Sequence, residues 1–259
     1  MKKSLAGMVM FIAAILCCGI GRADLKEAQK LYKDKQYEEA EAEFRKALPG
    51  LEGEQASSAR YLLGRCLEKQ DKLEEAIEEY RKALPGLKGV NAGWAHWQIG
   101  FSLNRLKKYD EALEEYRKVA QVEGALPRTS ANARNFAGKI LLSRGSYDEA
   151  LEEYRKAAEI AGADPAQLSS AQYMVGSVLQ RQKKYDEAIA EYRKLAAMEN
   201  AVPRYVADAH YQAGILLELQ GKKDEALAEF RKVVAIKDAS PKRLSAASKK
   251  IEELSGNNE

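Results

Sequence analysis

The stretch SYDEALEEYRKAA, residues 146–158, returns along the chain in slightly altered forms, such as KYDEALEEYRKVA at 108–120 and KYDEAIAEYRKLA at 184–196. Six such segments align on one alanine, at spacings of 36, 36, 38, 38 and 38 residues. The aligned alanines are Ala40, Ala76, Ala112, Ala150, Ala188 and Ala226. A near-constant period of this length is typical of a protein built from structural repeats.

Each segment predicts an amphipathic helix. In residues 108–120, the apolar side chains fall at i, i+1, i+4 and i+7, which is a helical stripe and not the alternation of a strand. The opposite face is rich in Glu, Lys and Arg, and we interpret it as a solvated surface.

A second helix is predicted before each segment, marked by a small residue twelve positions ahead of the aligned alanine. This residue, called position eight of the repeat below, is Ala28, Gly64, Gly100, Gly138, Gly176 or Gly214. Glycine within a helix costs about 1 kcal/mol relative to alanine. Its recurrence therefore predicts that two antiparallel helices approach closely here, with the recurrent alanine on the partner helix.

The motif LGRCL at 63–67, followed by Ala76 and Tyr80, resembles the tetratricopeptide repeat family, and the resemblance extends over residues 24–239. It implies an all-α, right-handed α-solenoid of about six helix-turn-helix repeats. The family's tryptophan position is occupied by Asp24, Arg60, His96, Arg134, Gln172 and His210. We place the repeats at 24–50, 57–87, 93–124, 127–162, 165–200 and 203–239.

The last three repeats and the segment after them each begin with a proline: Pro127, Pro165, Pro203 and Pro241. Proline is favourable in the first turn of a helix. Because the later units have 38 residues, we expect their first helices to be longer than those of the earlier units. Residues 241–254 predict a lone capping helix, and residues 255–259 predict a disordered tail.

Residues 1–23 have the pattern of a secretory signal peptide, with Lys2 and Lys3 before an apolar run and small residues ahead of Asp24. We therefore expect an exported protein, periplasmic or associated with the cell envelope. An uncleaved membrane anchor and lipidation at Cys17 or Cys18 are alternatives. Only this segment suggests membrane contact.

Charge and composition argue against several classes of function. Beyond residue 23 the chain has 39 basic and 39 acidic side chains, which gives no sign of nucleic-acid binding. Cys66 is the single cysteine there, and His96 and His210 are three repeats apart, so we expect no metal site, no cofactor and no catalysis. His96 is expected to be a structural histidine on the packing side.

The family resemblance implies a concave groove lined by the first helices. It also implies that the residues at positions two, five and nine of the repeat face this groove. Candidate residues for partner binding are Trp94, Trp97, Phe101, Tyr61, Arg65, Asn132, Asn135, Lys139, Tyr173 and Tyr211. Aromatic anchors mixed with polar groups suit a peptide or a protein segment. Asn135 and Lys139 occupy the positions of a carboxylate clamp in reverse order, so the clamp itself is unsupported.

The sequence thus favours a non-catalytic protein-protein interaction scaffold of the cell envelope, whose partner is another protein or peptide. Two alternatives stay open. Trp94 and Trp97 could stack against sugar rings in a module that binds glycans or cell-wall fragments. A structural array that associates with itself would follow if the C-terminal cap were incomplete.

Overall fold

The computed structural model describes residues 24–256, and every regular element in this range is a helix. The proposed signal peptide at 1–23 and the last three residues of the proposed tail lie outside the described residues. The first helices of the six repeats are α1 (described over 24–33), α3 (Gly53–Lys69), α5 (Gly89–Arg105), α7 (Pro127–Ser143), α9 (Pro165–Arg181) and α11 (Pro203–Leu219).

The second helices end each repeat, and a final helix follows the sixth. They are α2 (Tyr37–Ala47), α4 (Leu73–Ala83), α6 (Tyr109–Val119), α8 (Tyr147–Ala158), α10 (Tyr185–Ala196), α12 (Lys223–Ala235) and the final α13 (Pro241–Gly256). The chain divides into two compact units after Leu126. Consecutive helices pack against each other from α2 to α6 in the first unit and from α7 to α13 in the second. The all-α, helix-turn-helix architecture expected from the repeat is confirmed.

In five of the six hairpins, the core includes a glycine of the first helix that faces an aromatic ring of the second helix. A methyl group placed on Gly64 would lie 2.7 Å from ring carbons of Tyr80, and one on Gly176 would lie 2.6 Å from a ring carbon of Tyr192. The two helices do approach closely at the glycine, and the recurrent alanine is on the partner helix, as expected. The alanine is fully buried, but the nearest partner of the glycine is the aromatic side chain four residues after the alanine.

The turn between the two helices of each repeat requires a left-handed backbone. The residue five positions before the aligned alanine has a positive φ in every repeat. In the second to sixth repeats, it is Asp71 (65°), Lys107 (61°), Gly145 (77°), Lys183 (61°) or Gly221 (75°). Lys35 has a φ of 63° at the same place in the first repeat. Only two of the six carry glycine, so the surrounding hairpin enforces this conformation on lysine and aspartate.

The prediction of longer first helices in the later units is wrong, because α3, α5, α7, α9 and α11 all have 17 residues. The earlier connections are shorter, since Leu48–Gly50 and Leu84–Gly86 form tight 3-10 turns directly after the second helix. In the 38-residue units, α8 and α10 have 12 residues instead of 11, and irregular residues precede each proline.

The starting points of two repeats also differ from the expected ones. Helices α3 and α5 begin at Gly53 and Gly89, four residues before the boundaries placed at 57 and 93. Both glycines have positive φ, of 55° and 49°, and no proline marks these helix starts in the sequence.

The final helix α13 packs against α11 and α12, as a cap would. It buries Ala247 and makes ion pairs to α11, from Arg243 to Asp208 at 2.6 Å and from Lys250 to Glu218 at 3.0 Å. It continues through Gly256, two residues beyond the end expected at 254. Ser255 and Gly256, which were assigned to a disordered tail, are therefore helical.

The charged faces of the second helices link neighbouring repeats within each unit. Arg45 pairs with Glu75 at 2.9 Å in the first unit, and Arg193 pairs with Glu225 at 3.4 Å in the second. These side chains are about half exposed, and exposed pairs stabilise a protein by only about 0.2–1 kcal/mol each. The interpretation of this face as a solvated surface agrees with that exposure.

Candidate functional site

The aromatic strip of the first unit consists of Trp94, Trp97 and Phe101 on α5. All three side chains are half-buried, and they follow one helix face at spacings of three and four residues. The rings of Trp97 and Phe101 stack with centroids 5.4 Å apart and planes 14° apart. The Trp94 ring meets Trp97 edge-on, at 5.6 Å and 86°. A contiguous, partly exposed aromatic surface of this kind can anchor a partner.

The same geometry bears on sugar binding. Because the Trp94 and Trp97 planes are nearly perpendicular, the two rings do not form one flat platform. The alternative that both stack together against a sugar ring therefore gains no support from their arrangement.

His96 lies on another face of α5 and is engaged with the second helix of its own repeat. Its Nδ1 is 2.7 Å from Oε2 of Glu115, and His210 is related in the same way to Glu229, at 2.6 Å. Arg60 makes the equivalent contact with Glu79 at 3.0 Å. The histidines thus occupy a repeated structural position, as expected for His96.

Glu229 has the most strongly perturbed carboxylate of this set. Burial acts to raise its pKa, but hydrogen bonds from His210, Arg193 and Lys232 outweigh burial and lower the pKa to about 2. Glu115 shows the same balance, since burial is opposed by hydrogen bonds from His96 and Lys118 that lower its pKa. Both glutamates are therefore held as structural anions.

Tyr61 and Arg65 on α3 are half-buried and belong to a small polar cluster in the first unit. The Tyr61 ring packs 5.6 Å from the ring of Tyr80, whose hydroxyl donates to Oε2 of Glu68 at 2.9 Å. Arg65 lies 4.0 Å from the same carboxylate. Burial raises the pKa of Tyr61, which keeps its hydroxyl protonated.

Tyr173 and Tyr211, the corresponding position-five residues of the second unit, also pack within the framework. Each ring lies 5.5 Å from the aromatic side chain of its own second helix, Tyr192 or Phe230. The guanidinium of Arg243, from the capping helix, covers the Tyr211 ring at 4.3 Å. Position five is thus a packing position in these repeats, and Tyr211 is partly covered by α13.

Asn135 and Lys139 come together in a cavity of about 480 Å³ within the second unit. Asn132, on the preceding turn of α7, does not line it. The lining residues come from α7, α8 and α9: Asn135, Phe136, Lys139, Leu142, Ser143, Tyr154, Ser170, Met174 and Arg181. Most of these residues were not predicted from the sequence. Leu142 is the one with a visible signal, because it replaces a polar residue found at this position in other repeats.

Other reactive or metal-binding groups are not assembled within residues 24–256. Cys66 is fully buried on α3, and burial raises the pKa of its thiol to about 12, so it is protonated at neutral pH. No cluster of three His, Cys, Asp or Glu side chains suited to a metal occurs among these residues. Nor does this range contain a helix with the length and apolar character needed to cross a membrane.

Models of the tetratricopeptide repeat match the chain at residues 25–89, 91–163 and 167–239. The chain belongs to the tetratricopeptide repeat family. None of the curated proteins compared with it matches. Among solved structures, it is similar to the C-terminal part of a TPR protein from Cytophaga hutchinsonii, with a TM-score of 0.63 and 15% identity over 91% of this chain and 96% of that one.

Two further solved structures align with lower TM-scores. The crystal structure of YrrB, a TPR protein with an unusual peptide-binding site, aligns with a TM-score of 0.51 and 22% identity over 73% of this chain and 91% of that one. PilF of Pseudomonas aeruginosa aligns with a TM-score of 0.54 and 18% identity over 93% of this chain and 98% of that one. At these identities the similarities concern the fold.

Proposed function

We propose that this TPR protein is a non-catalytic scaffold of the cell envelope that binds a peptide or protein segment along its first helices. The observation that carries the proposal is the half-buried aromatic strip of Trp94, Trp97 and Phe101. Large aromatic side chains at a partly open surface supply contact area with little loss of conformational entropy. The peptide-binding site of YrrB provides a precedent on a similar fold.

Export and partner binding are separable parts of this proposal. The localisation is supported by the signal-peptide pattern of residues 1–23. Cell fractionation and mass spectrometry of the protein's N-terminus test it. We expect the chain in the envelope fraction, starting at Asp24, and recovery in the cytoplasm with Met1 retained would contradict it.

Crosslinking in the native cell, followed by capture of the full chain, tests the interaction. We expect Trp97→Ala to reduce recovery of the specific partner about tenfold, as for a central aromatic anchor. Val234→Ala is the matched control, because Val234 is a 45% exposed apolar residue on a second helix. Equal recovery by the two variants, or a large loss of thermal stability in Trp97→Ala, would contradict a contact role for the strip.

A further inference from the structure

The cavity of the second unit lies where the fourth repeat lacks one hydrogen-bonding side chain that the fifth repeat has. In the fifth repeat, the Tyr192 hydroxyl donates to Oε1 of Gln180 at 3.0 Å. The fourth repeat has Leu142 at the position of Gln180, and a leucine side chain cannot accept a hydrogen bond. Tyr154 and Leu142 both line the cavity, so the tyrosine hydroxyl is available to a ligand.

The charged side chains that line the cavity are all basic. Lys139 and Arg181 are its charged lining residues, and no Asp or Glu is among them. Within residues 24–256, neither cation forms an ion pair, whereas most second-helix arginines do. The positive charge of Arg181 also acts on Tyr154, where it opposes the rise in pKa caused by burial. A negatively charged group would therefore be favoured here.

The remaining surface suits a peptide better than a small inorganic anion. Phe136, Leu142 and Met174 give the cavity an apolar part large enough to contact a side chain. The amide of Asn135 donates through Nδ2 to the backbone oxygen of Gln167 at 3.3 Å, but its buried Oδ1 has no hydrogen-bond partner among the described residues.

We propose that this cavity binds a peptide segment in which an acidic side chain adjoins a large apolar one. The carboxylate lies between Lys139 and Arg181 and accepts a hydrogen bond from Tyr154, while the apolar side chain packs against Leu142 and Met174. This inference rests on the proposed peptide-binding function and gives its ligand a chemical class. The exposed side chains at the rim, Lys139 and Arg181, leave room for the segment to continue on both sides.

Fluorescence anisotropy with the full chain and defined peptides tests this assignment. The probes are fluorescein-labelled, C-terminally amidated octapeptides in which Leu-Glu, Leu-Gln or Leu-Lys is flanked by Gly and Ser residues. We expect the Leu-Glu peptide to bind at least about tenfold more tightly than the Leu-Gln peptide, because a charge-assisted hydrogen bond is lost in the latter. A fourth peptide ends in Leu with a free carboxylate.

Three variants locate the binding. Leu142→Gln introduces the residue that the fifth repeat has at this position. The new side chain should accept a hydrogen bond from the Tyr154 hydroxyl and weaken Leu-Glu binding at least about fivefold while the fold is retained. Arg181→Gln and Tyr154→Phe should each weaken it to a similar degree. Arg231→Gln, which removes an exposed cation from α12 outside the cavity, is the matched control and should leave binding unchanged.

The proposal is overturned by equal affinity for Leu-Glu and Leu-Gln, by no binding at millimolar peptide, or by Leu142→Gln binding as tightly as the parent chain. Binding of only the peptide with the free C-terminal carboxylate would also overturn it. If these results occurred while partner capture still depended on Trp97, the proposed scaffold function would stand and only the assignment of this cavity would fail.

Discussion

The fourth and fifth repeats have nearly the same framework, but they differ where the second-helix tyrosine ends. Both place a glycine under the tyrosine ring, and both end the first helix after 17 residues. In the fifth repeat Gln180 accepts a hydrogen bond from Tyr192, whereas Leu142 leaves the Tyr154 hydroxyl at a cavity. The residues that build the hairpin are thus shared, whereas the side chain beside the tyrosine hydroxyl differs.

The largest expected effect on stability concerns the glycine that both repeats place under the tyrosine ring. Gly138→Ala and Gly176→Ala would each place a methyl group under 3 Å from the ring of Tyr154 or Tyr192. Overpacking costs about 1–3 kcal/mol and the higher helix propensity of alanine returns about 1, so we expect a net loss of up to about 2 kcal/mol in each repeat. Chemical denaturation measures it, with Ser177→Ala as the control. A loss confined to one repeat would show that the frameworks are not equivalent.

A smaller effect extends the comparison to the sixth repeat, in which Arg193, His210 and Lys232 surround the carboxylate of Glu229. We expect Glu229→Gln to lose about 1.5 kcal/mol at pH 7, since three donors surround its carboxylate. Glu191→Gln, at the same position of the fifth repeat, should lose less because Gln172 is a neutral donor there.

The lowered pKa of Glu229 predicts how its contribution to stability changes with pH. Its pKa falls from 4.5 to about 2 on folding, so its stabilising contribution is present above about pH 4.5 and is lost as the pH falls toward 2. The difference in melting temperature between the parent chain and Glu229→Gln should therefore shrink from pH 7 to pH 3. A difference that stays constant or grows would contradict the carboxylate's role.

Removing the tyrosine hydroxyl should change the free energy of unfolding differently in the fourth and fifth repeats. Tyr192→Phe removes the hydrogen bond to Gln180 and should cost about 1 kcal/mol. Tyr154→Phe should change the free energy of unfolding by less than about 0.5 kcal/mol, because Leu142 offers no acceptor. Urea unfolding of both variants checks this. Equal losses would mean that Tyr154 has an internal partner after all.

The smallest effects are expected at the interhelical turns, where the two repeats again differ. Gly145 and Lys183 have φ angles of 77° and 61°. Gly145→Ala should destabilise the chain by about 0.5–1 kcal/mol and Lys183→Gly should stabilise it by a similar amount, since the left-handed conformation is costly for residues with a Cβ. Thermal unfolding measures both changes, and changes of the same sign in both variants would refute this account of the turn.

The periodic residues were sufficient to predict the repeat count, the helix types and the capping helix, because each of these depends on local pattern. The spacing of the alanines predicted the hairpins, and the glycines predicted close packing. The length of the first helices could not be obtained this way. Extra residues in a 38-residue unit can extend a helix or a connection, and only the tight turns at Leu48–Gly50 and Leu84–Gly86 show that the connections differ.

For the candidate binding residues, the sequence predicted only which of them share a helix face. The spacing of Trp94, Trp97 and Phe101 placed them together on α5, and their rings do meet. The cavity was different, because Asn135, Tyr154 and Arg181 come from three helices and converge only when these helices pack. Local pattern therefore fixes which residues share a helix face, whereas packing between helices fixes which faces enclose a space and which hydroxyl is left without an internal acceptor.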